Sequence, residues 1–156
     1  MTLSMAGKVV SDSVVAQRAG ATVPMAVVIP TFDRRELLQE LLEAVDALDP
    51  APAEVVVVSD GSSDGTDELV ADLGVTLLVT PRLGPAAARN AGWRATTSDV
   101  VAFVDDDCLP DPSWLGRLWT AFSALPEVGV VQGRTRPVRP PGPYERTIDV
   151  ASEYGL

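Results

Sequence analysis

The chain of 156 residues carries 22 acidic and 12 basic side chains, a formal net charge of −10, and its arginines are scattered. They form no basic stripe of the kind that nucleic-acid binding needs, which argues against that class of partner. The sequence has no histidine and a single cysteine, Cys108, which excludes histidine catalysis, an internal disulfide and a cysteine-built zinc site.

Strand-like and helix-like segments alternate along the chain. Residues 1–24 have weak periodicity and predict a flexible leader, and the proline- and arginine-rich start of residues 134–156 predicts a linker and tail. Residues 25–133 between them form the predicted domain. The predicted strands are 26–31, 54–58, 75–79, 100–104 and 128–131, and the predicted helices contain Leu37–Leu48, Leu69–Leu73, Ala86–Ala95 and Trp114–Phe122.

The predicted elements indicate one fold class. Asp33 with Glu36 forms a capping-box-like helix start, and Asp111–Pro112 places an acidic cap before a proline. The β-branched run at 54–58 lacks alternation, which is typical of a parallel strand covered on both faces. The chain is therefore predicted to be an α/β protein, a three-layer sandwich with a mostly parallel sheet. No apolar run approaches the roughly 18–20 residues of a membrane-spanning helix.

Polar loops follow the apolar strands, where ligands of open α/β sheets bind. Asp105, Asp106 and Asp107 end the fourth predicted strand, and a divalent cation would compensate their mutual repulsion. Mg²⁺ or Mn²⁺ suits this loop because these ions use one or two carboxylates, water and substrate phosphates. The loop therefore favours a phosphorylated substrate, and a solvated acidic turn without any ligand is the alternative.

The loop at 59–66 contains two glycines and several short acceptors, so it can turn sharply and face a ligand. Asp60, at the strand end, could accept a hydrogen bond from a pyrimidine imide or a ribose hydroxyl. Ser63 or Asp64 is interpreted as a helix cap. The sequence has neither a dinucleotide fingerprint nor a phosphate-binding P-loop, which disfavours a Rossmann oxidoreductase and a P-loop hydrolase.

Four segments occur in a characteristic order and spacing: VVIPTFDR at 27–34, VVSDGSSDGT at 57–66, GPAAARNAG at 84–92 and AFVDDD at 102–107. Together they resemble the N-terminal half of glycosyltransferase family 2. The resemblance implies a GT-A fold and a nucleotide-diphosphate sugar as donor, most often a uridine diphosphate sugar. It also implies a divalent metal, Mn²⁺ or Mg²⁺, and inverting transfer of the sugar to an acceptor hydroxyl.

The resemblance also implies site residues. Pro30 and Thr31 would line the base, Asp60 would contact the nucleobase, and Asp106 would lie near the ribose. Arg89 would hold the nucleotide, or else pair with a loop carboxylate such as Asp60. The metal would be held by Asp105 and Asp107.

The resemblance covers only part of the family's machinery. In the family, the general base and much of the acceptor site come from a C-terminal half, so no base is assigned. The chain is expected to be truncated, either as a fragment of a longer transferase or as a naturally short donor-binding half. Two alternatives stay open, a sugar-phosphate nucleotidyltransferase and a non-catalytic Mg²⁺-binding interaction module. We expect a cytoplasmic location, with peripheral membrane attachment as an option for a longer form.

Two residue types near the acidic loop invite functional interpretations. Trp119 shares a helix face with Leu115 and Phe122, which favours core packing over sugar stacking, whereas Trp114 could serve either purpose. Cys108 follows three carboxylates, which would raise the pKa of its thiol and suppress its nucleophilicity. We therefore interpret Cys108 as a packing residue.

Overall fold

A central sheet of five strands organises the computed structural model, which describes residues 8–9 and 21–136. The strand order is β1-β4-β3-β2-β5; β1 pairs antiparallel with β4, and the other neighbours are parallel. The strands are β1 Lys8–Val9, β2 Thr22–Thr31, β3 Ala51–Ser59, β4 Thr76–Val79 and β5 Val100–Phe103. The helices are α1 Arg35–Asp46, α2 Thr66–Asp72, α3 Pro85–Ala95 and α4 Trp114–Ala124.

Both faces of the sheet are buried because successive side chains of a strand point to opposite sides. On one face, Val27 and Val57 belong to a cluster that includes Leu38 of α1, Val70 of α2 and Leu115 of α4. On the other face, α3 covers a smaller cluster that contains Val28, Val56, Val58, Leu78 and Ala88. The predicted α/β sandwich with a mostly parallel sheet is confirmed.

Helix α3 lies unusually close to the sheet. Gly92 is buried, and a Cβ atom at this position would come within 2.4 Å of Val28 Cγ1 and 3.0 Å of Val58 Cγ2. The first distance is shorter than real Cβ contacts and the second is tight, so a side chain at this position would require α3 or the facing valines to shift. Close packing of α3 in turn determines where its first turn and Arg89 lie.

The first long strand begins earlier than predicted. β2 starts at Thr22, inside the segment predicted as a leader, and Lys8–Val9 of the same segment pair with Leu77 and Leu78. The strand continues through Pro24 because the β2–β3 register shifts between Val23 and Ala26, and a bulge tolerates a residue without an N–H donor. The rest of the predicted leader and residues 137–156 of the predicted tail lie outside the described residues.

The predicted strand at 128–131 does not form, and this prediction was wrong. Within residues 21–136 this segment has no strand partner, and Val130 is 83% exposed. Apolar β-branched residues form a strand only when a neighbour accepts their backbone hydrogen bonds. On helix α1, Leu37 was predicted on the apolar face but is exposed, whereas Leu38, Leu41 and Val45 are buried as expected.

Helix starts also differ from prediction. Helix α1 begins at Arg35, and Asp33 has a left-handed φ of 48° and makes no cap bond to its own helix. Helix α4 begins at Trp114, after a turn in which the Asp111 carboxylate accepts hydrogen bonds from Ser113 N (3.0 Å) and Ser113 Oγ (2.5 Å). Among the described helices, none is long and apolar enough to cross a membrane.

A carboxylate at the opposite end of the sheet holds the α3–β5 connection. Glu54 accepts hydrogen bonds from Thr97 N (3.0 Å), Thr97 Oγ1 (2.7 Å) and Ser98 Oγ (2.8 Å). Burial acts to raise the pKa of Glu54, but these hydrogen bonds outweigh it and lower the pKa below its ordinary value.

We expect this anchor to depend on pH. A carboxyl whose pKa is lower in the folded than in the unfolded chain stabilises the fold above its unfolded pKa, and that stability is lost as the pH falls through the folded pKa. Glu54→Gln should lower the free energy of unfolding by about 1 kcal/mol at pH 7 and much less at pH 3. Urea unfolding at both pH values measures this, and an equal difference at both would contradict it.

Candidate functional site

Four loops meet at the carboxyl edge of the sheet, the edge at which β2, β3, β4 and β5 end. Their backbones are joined: Asp60 N donates to the Thr31 carbonyl, and Thr80 N donates to the Ser59 carbonyl, both at 2.9 Å. The parallel strands bring these loops together although they are far apart in sequence. The carboxyl edge is therefore the candidate site.

The loops after β2 and β3 are held together by reciprocal hydrogen bonds. The Asp33 carboxylate accepts from Ser63 N at 2.7 Å, and the Asp64 carboxylate accepts from Arg35 N at 2.8 Å. Asp64 also accepts from Thr66 N (3.1 Å) and Thr66 Oγ1 (2.5 Å), so it serves the first turns of both α1 and α2. Burial acts to raise the pKa of Asp64, but its hydrogen bonds outweigh burial and lower the pKa. Ser63 or Asp64 was predicted as the cap of α2, but the N-cap residue is Gly65, and Asp64 instead bonds to the first residues of α1 and α2. Asp33 binds across loops instead of capping its own helix.

Asp106 is the buried centre of the acidic loop. Its Oδ2 accepts a hydrogen bond from Thr31 Oγ1 at 2.8 Å, and its Oδ1 pairs with Arg34 Nη1 at 2.9 Å. Thr31 and Asp106 are both buried, and the Arg34 side chain is half exposed. Both oxygens of the buried carboxylate therefore have partners, one of which is a cation.

The two outer carboxylates of the acidic loop face solvent. The side chains of Asp105 and Asp107 are each 54% exposed. Arg34 Nη1 also reaches Asp107 Oδ2 at 3.3 Å, and Arg89 Nη2 pairs with Asp105 Oδ1. A hydrogen bond from Arg34 to Asp106, followed by the attraction of the two carboxylates, raises the pKa of Arg34.

Arg34 and Arg89 thus form ion pairs with the carboxylates of the acidic loop. The sequence predicts that a metal ion compensates the negative charge of Asp105–Asp107, and it predicts no role for Arg34. For Arg89 it kept two roles, and the observed contact is the pairing with a loop carboxylate, at Asp105 instead of Asp60. Arg34 lies three positions after the end of β2, where its side chain can reach the next loop along the same edge, but this spacing does not identify its partner.

Asp60 lies on the other side of Thr31 and is 5% exposed. Its Oδ1 accepts from Thr80 Oγ1 (2.5 Å) and Leu83 N (2.8 Å), and its Oδ2 accepts from Gly84 N (2.6 Å). Burial acts to raise the pKa of Asp60, but these three donors outweigh it and lower the pKa. Asp60 therefore anchors the loop that leads into α3, a role that the sequence did not reveal.

The structure gathers the predicted residues along one edge. Thr31 connects the loop of Asp60 with the acidic loop, since its carbonyl accepts a hydrogen bond from Asp60 N and its hydroxyl donates one to Asp106. Pro30 is buried beneath them, and Arg89 contacts Asp105 from α3. The acidic loop is thus neither separated from the loop containing Asp60 nor wholly exposed.

The oxygen ligands at this edge suit a hard divalent cation that takes only one or two of its ligands from the protein. Within the described ranges, no group of three or more metal-ligating side chains lies together. Asp105 and Asp107 nevertheless offer half-exposed carboxylate oxygens, and Mg²⁺ and Mn²⁺ need only one or two such ligands when water and phosphate complete the shell. These two residues are the ones that could hold a metal.

The residues next to the acidic loop serve packing. Cys108, Trp114 and Trp119 are partly buried and contact the main core, as predicted for Cys108 and Trp119. Burial raises the pKa of the Cys108 thiol, and the charges of Asp107 and Asp105 raise it further, as predicted. A protonated thiol is a poor nucleophile, which agrees with the packing role predicted for Cys108.

Comparison with known proteins agrees with this geometry. Residues 26–155 match the family described as glycosyl transferase family 2. The chain belongs to this family. Its fold is the GT-A fold of glycosyltransferases, which are its structural neighbours.

One relative and two solved structures illustrate the likeness. The validoxylamine A glucosyltransferase of Streptomyces hygroscopicus subsp. limoneus is 32% identical over 151 residues, which cover 90% of this chain and 33% of that protein. The mannosyltransferase PcManGT of Pyrobaculum calidifontis, solved with GDP-Man and Mn²⁺, is 31% identical with a TM-score of 0.55, covering 66% of this chain and 35% of that one. TarS 1-349 of S. aureus, solved with UDP-GlcNAc, is 26% identical with a TM-score of 0.58, covering 72% and 36%. The chain spans about a third of the length of these proteins.

Proposed function

We propose that the carboxyl edge binds a nucleotide-diphosphate sugar, a UDP-sugar in the first instance, as the donor half of an inverting glycosyltransferase. The observation that carries the proposal is the network of buried Thr31 and Asp106 with half-exposed Arg34, beside which Asp105 and Asp107 face solvent. The neighbours solved with UDP-GlcNAc and with GDP-Man and Mn²⁺ support it.

Each predicted site residue has a role in this proposal. Pro30 and Thr31 form the floor below the base. Asp60 Oδ2 accepts one hydrogen bond, from Gly84 N, and can accept a second one. The imide N–H of a pyrimidine would be a suitable second donor. Asp106 faces the ribose, and Arg89 supports the nucleotide side of the acidic loop.

The metal belongs to the outer carboxylates. Asp105 and Asp107 would hold Mn²⁺ or Mg²⁺, which when bound supplies positive charge to the diphosphate leaving group. The chain has a net charge of −10, so it repels a diphosphate that carries no bound metal. Donor binding should therefore depend on the metal.

The transfer step follows from the donor's chemistry. The acceptor hydroxyl oxygen attacks the anomeric carbon, the bond from that carbon to the diphosphate breaks, and the sugar configuration inverts. The hydroxyl proton goes to a general base, which we do not assign within residues 21–136. The donor site and the acceptor site are thus separate parts of the proposal.

The outer carboxylates provide the test. In Mn²⁺, calorimetric titration of UDP should give an affinity at least about tenfold weaker for Asp107→Asn than for the unmodified chain, which is about 1.4 kcal/mol, and Asp105→Asn should also bind UDP more weakly. Glu40→Gln makes the same change of charge on the exposed surface of α1 and is the matched control.

Two results would count against the proposal. Unchanged UDP affinity in both aspartate variants would remove the metal role of these carboxylates. Metal binding that is indifferent to the nucleotide would favour the non-catalytic Mg²⁺-binding module instead.

A further inference from the structure

Each outer carboxylate of the acidic loop is already paired with an arginine. Arg34 Nη1 lies 3.3 Å from Asp107 Oδ2, and Arg89 pairs with Asp105. These are the same two carboxylates that the proposed function assigns to the metal. A cation from solution must therefore take these oxygens from arginines that hold them.

We propose that Arg34 and Arg89 act as internal counter-ions that compete with the divalent metal for Asp107 and Asp105. The inference rests on the proposed function, because it takes the metal site from it. It adds that Arg34 and Arg89 offset part of the negative charge of Asp105, Asp106 and Asp107, and that metal binding carries the cost of displacing them.

The two contacts of Arg34 would allow it to release Asp107 to a metal while it stays bound to Asp106. Its nitrogen is anchored at 2.9 Å on Asp106, whose side chain is only 7% exposed, while its contact with Asp107 is longer and open to solvent. A buried carboxylate without a cationic partner is costly, so the Asp106 contact should persist. The exposed contact with Asp107 is weak and can be given up.

Arg89 is the simpler case because its pair is exposed on both sides, with side-chain exposures of 37% and 54%. Its loss leaves no buried charge behind. Arg89→Gln should therefore fold normally, whereas Arg34→Gln removes the cation beside Asp106. The two variants together keep the inference testable if one of them is unstable.

The magnitude follows from the strength of exposed ion pairs. Such pairs contribute up to about 1 kcal/mol, and removal of a competitor that contributes about 0.4–1 kcal/mol should tighten metal binding about two- to fivefold. The opposite hypothesis, that the arginines position the carboxylates for the metal, requires weaker binding in the same variants. The sign of the change therefore separates the two.

The experiment is a titration of Mn²⁺ alone, without nucleotide, followed by calorimetry and by the electron paramagnetic resonance signal of free Mn²⁺. Arg89→Gln and Arg34→Gln should bind Mn²⁺ about two- to fivefold more tightly than the unmodified chain. Arg82→Gln makes the same charge change at this edge, where Arg82 stacks on the Phe32 ring 4.4 Å from its centroid, and should stay within about 1.5-fold.

The outcomes distinguish the inference from the function on which it rests. If the unmodified chain binds Mn²⁺ and the variants at Arg34 and Arg89 bind it equally or more weakly, the competition is overturned and the metal site stands. If none of the proteins binds Mn²⁺, the metal site and the competition both fail. An equal gain in Arg82→Gln would reduce the effect to overall charge and overturn the inference.

Discussion

Gly92→Ala should lower the free energy of unfolding by about 2 kcal/mol. The new Cβ would lie 2.4 Å from Val28 Cγ1, and both residues are buried between α3 and the sheet. Overpacking of this kind costs about 1–3 kcal/mol or more, and it exceeds the gain of about 1 kcal/mol from the better helix propensity of alanine. Urea unfolding followed by circular dichroism measures the change.

Two further variants show whether the close approach is the cause. Gly129→Ala adds the same methyl group where nothing lies within 4 Å, and it should change stability by less than about 0.5 kcal/mol. Val28→Ala removes the atom nearest to the new methyl, so the double variant should be more stable than the sum of the two single changes predicts. A Gly92→Ala chain as stable as the unmodified one would contradict the packing account.

Asp60→Ala should destabilise the chain by about 3 kcal/mol. The substitution leaves Thr80 Oγ1, Leu83 N and Gly84 N without the carboxylate that accepts their hydrogen bonds. Hydrogen bonds to charged groups contribute about 1.5–3 kcal/mol, and buried donors left without acceptors add a desolvation cost. Thermal and urea unfolding at pH 7 measure the loss.

The matched control for Asp60 is Asp72→Ala, an exposed aspartate at the end of α2, which should change stability by no more than about 0.5 kcal/mol. Equal stability of the two variants would mean that the Asp60 contacts contribute nothing net. Loss of UDP binding in Asp60→Ala is interpretable only at temperatures where the variant is folded, because the residue has this structural role.

The strands and helices were largely predictable because their signals are local. The run at 54–58 and the apolar face of α1 each specify an element within a short stretch of chain. Errors arose where a distant partner decides the outcome. Pro24 stays in β2 because the neighbouring strand accommodates a bulge, and 128–131 stays irregular because its apolar residues have no strand beside them in the described part of the chain.

The candidate site was predictable in position but not in its contacts. Parallel strands bring their carboxyl ends together, which is why Asp60 and Asp106 could be expected along one edge. The partners of these carboxylates come from loops far away in sequence, such as Arg34, 72 positions before Asp106. No local pattern specifies which arginine or which backbone amide meets a given carboxylate, so the counter-ions and the loop anchored by Asp60 required the structure.

The most direct test of the metal-mediated donor site compares UDP with uridine, each titrated in Mn²⁺ and in EDTA. Because Asp105 and Asp107 repel a bare diphosphate, UDP should bind in Mn²⁺ and lose at least about tenfold in affinity in EDTA, whereas any uridine binding should not depend on the metal. UDP that binds equally well in EDTA would contradict the account.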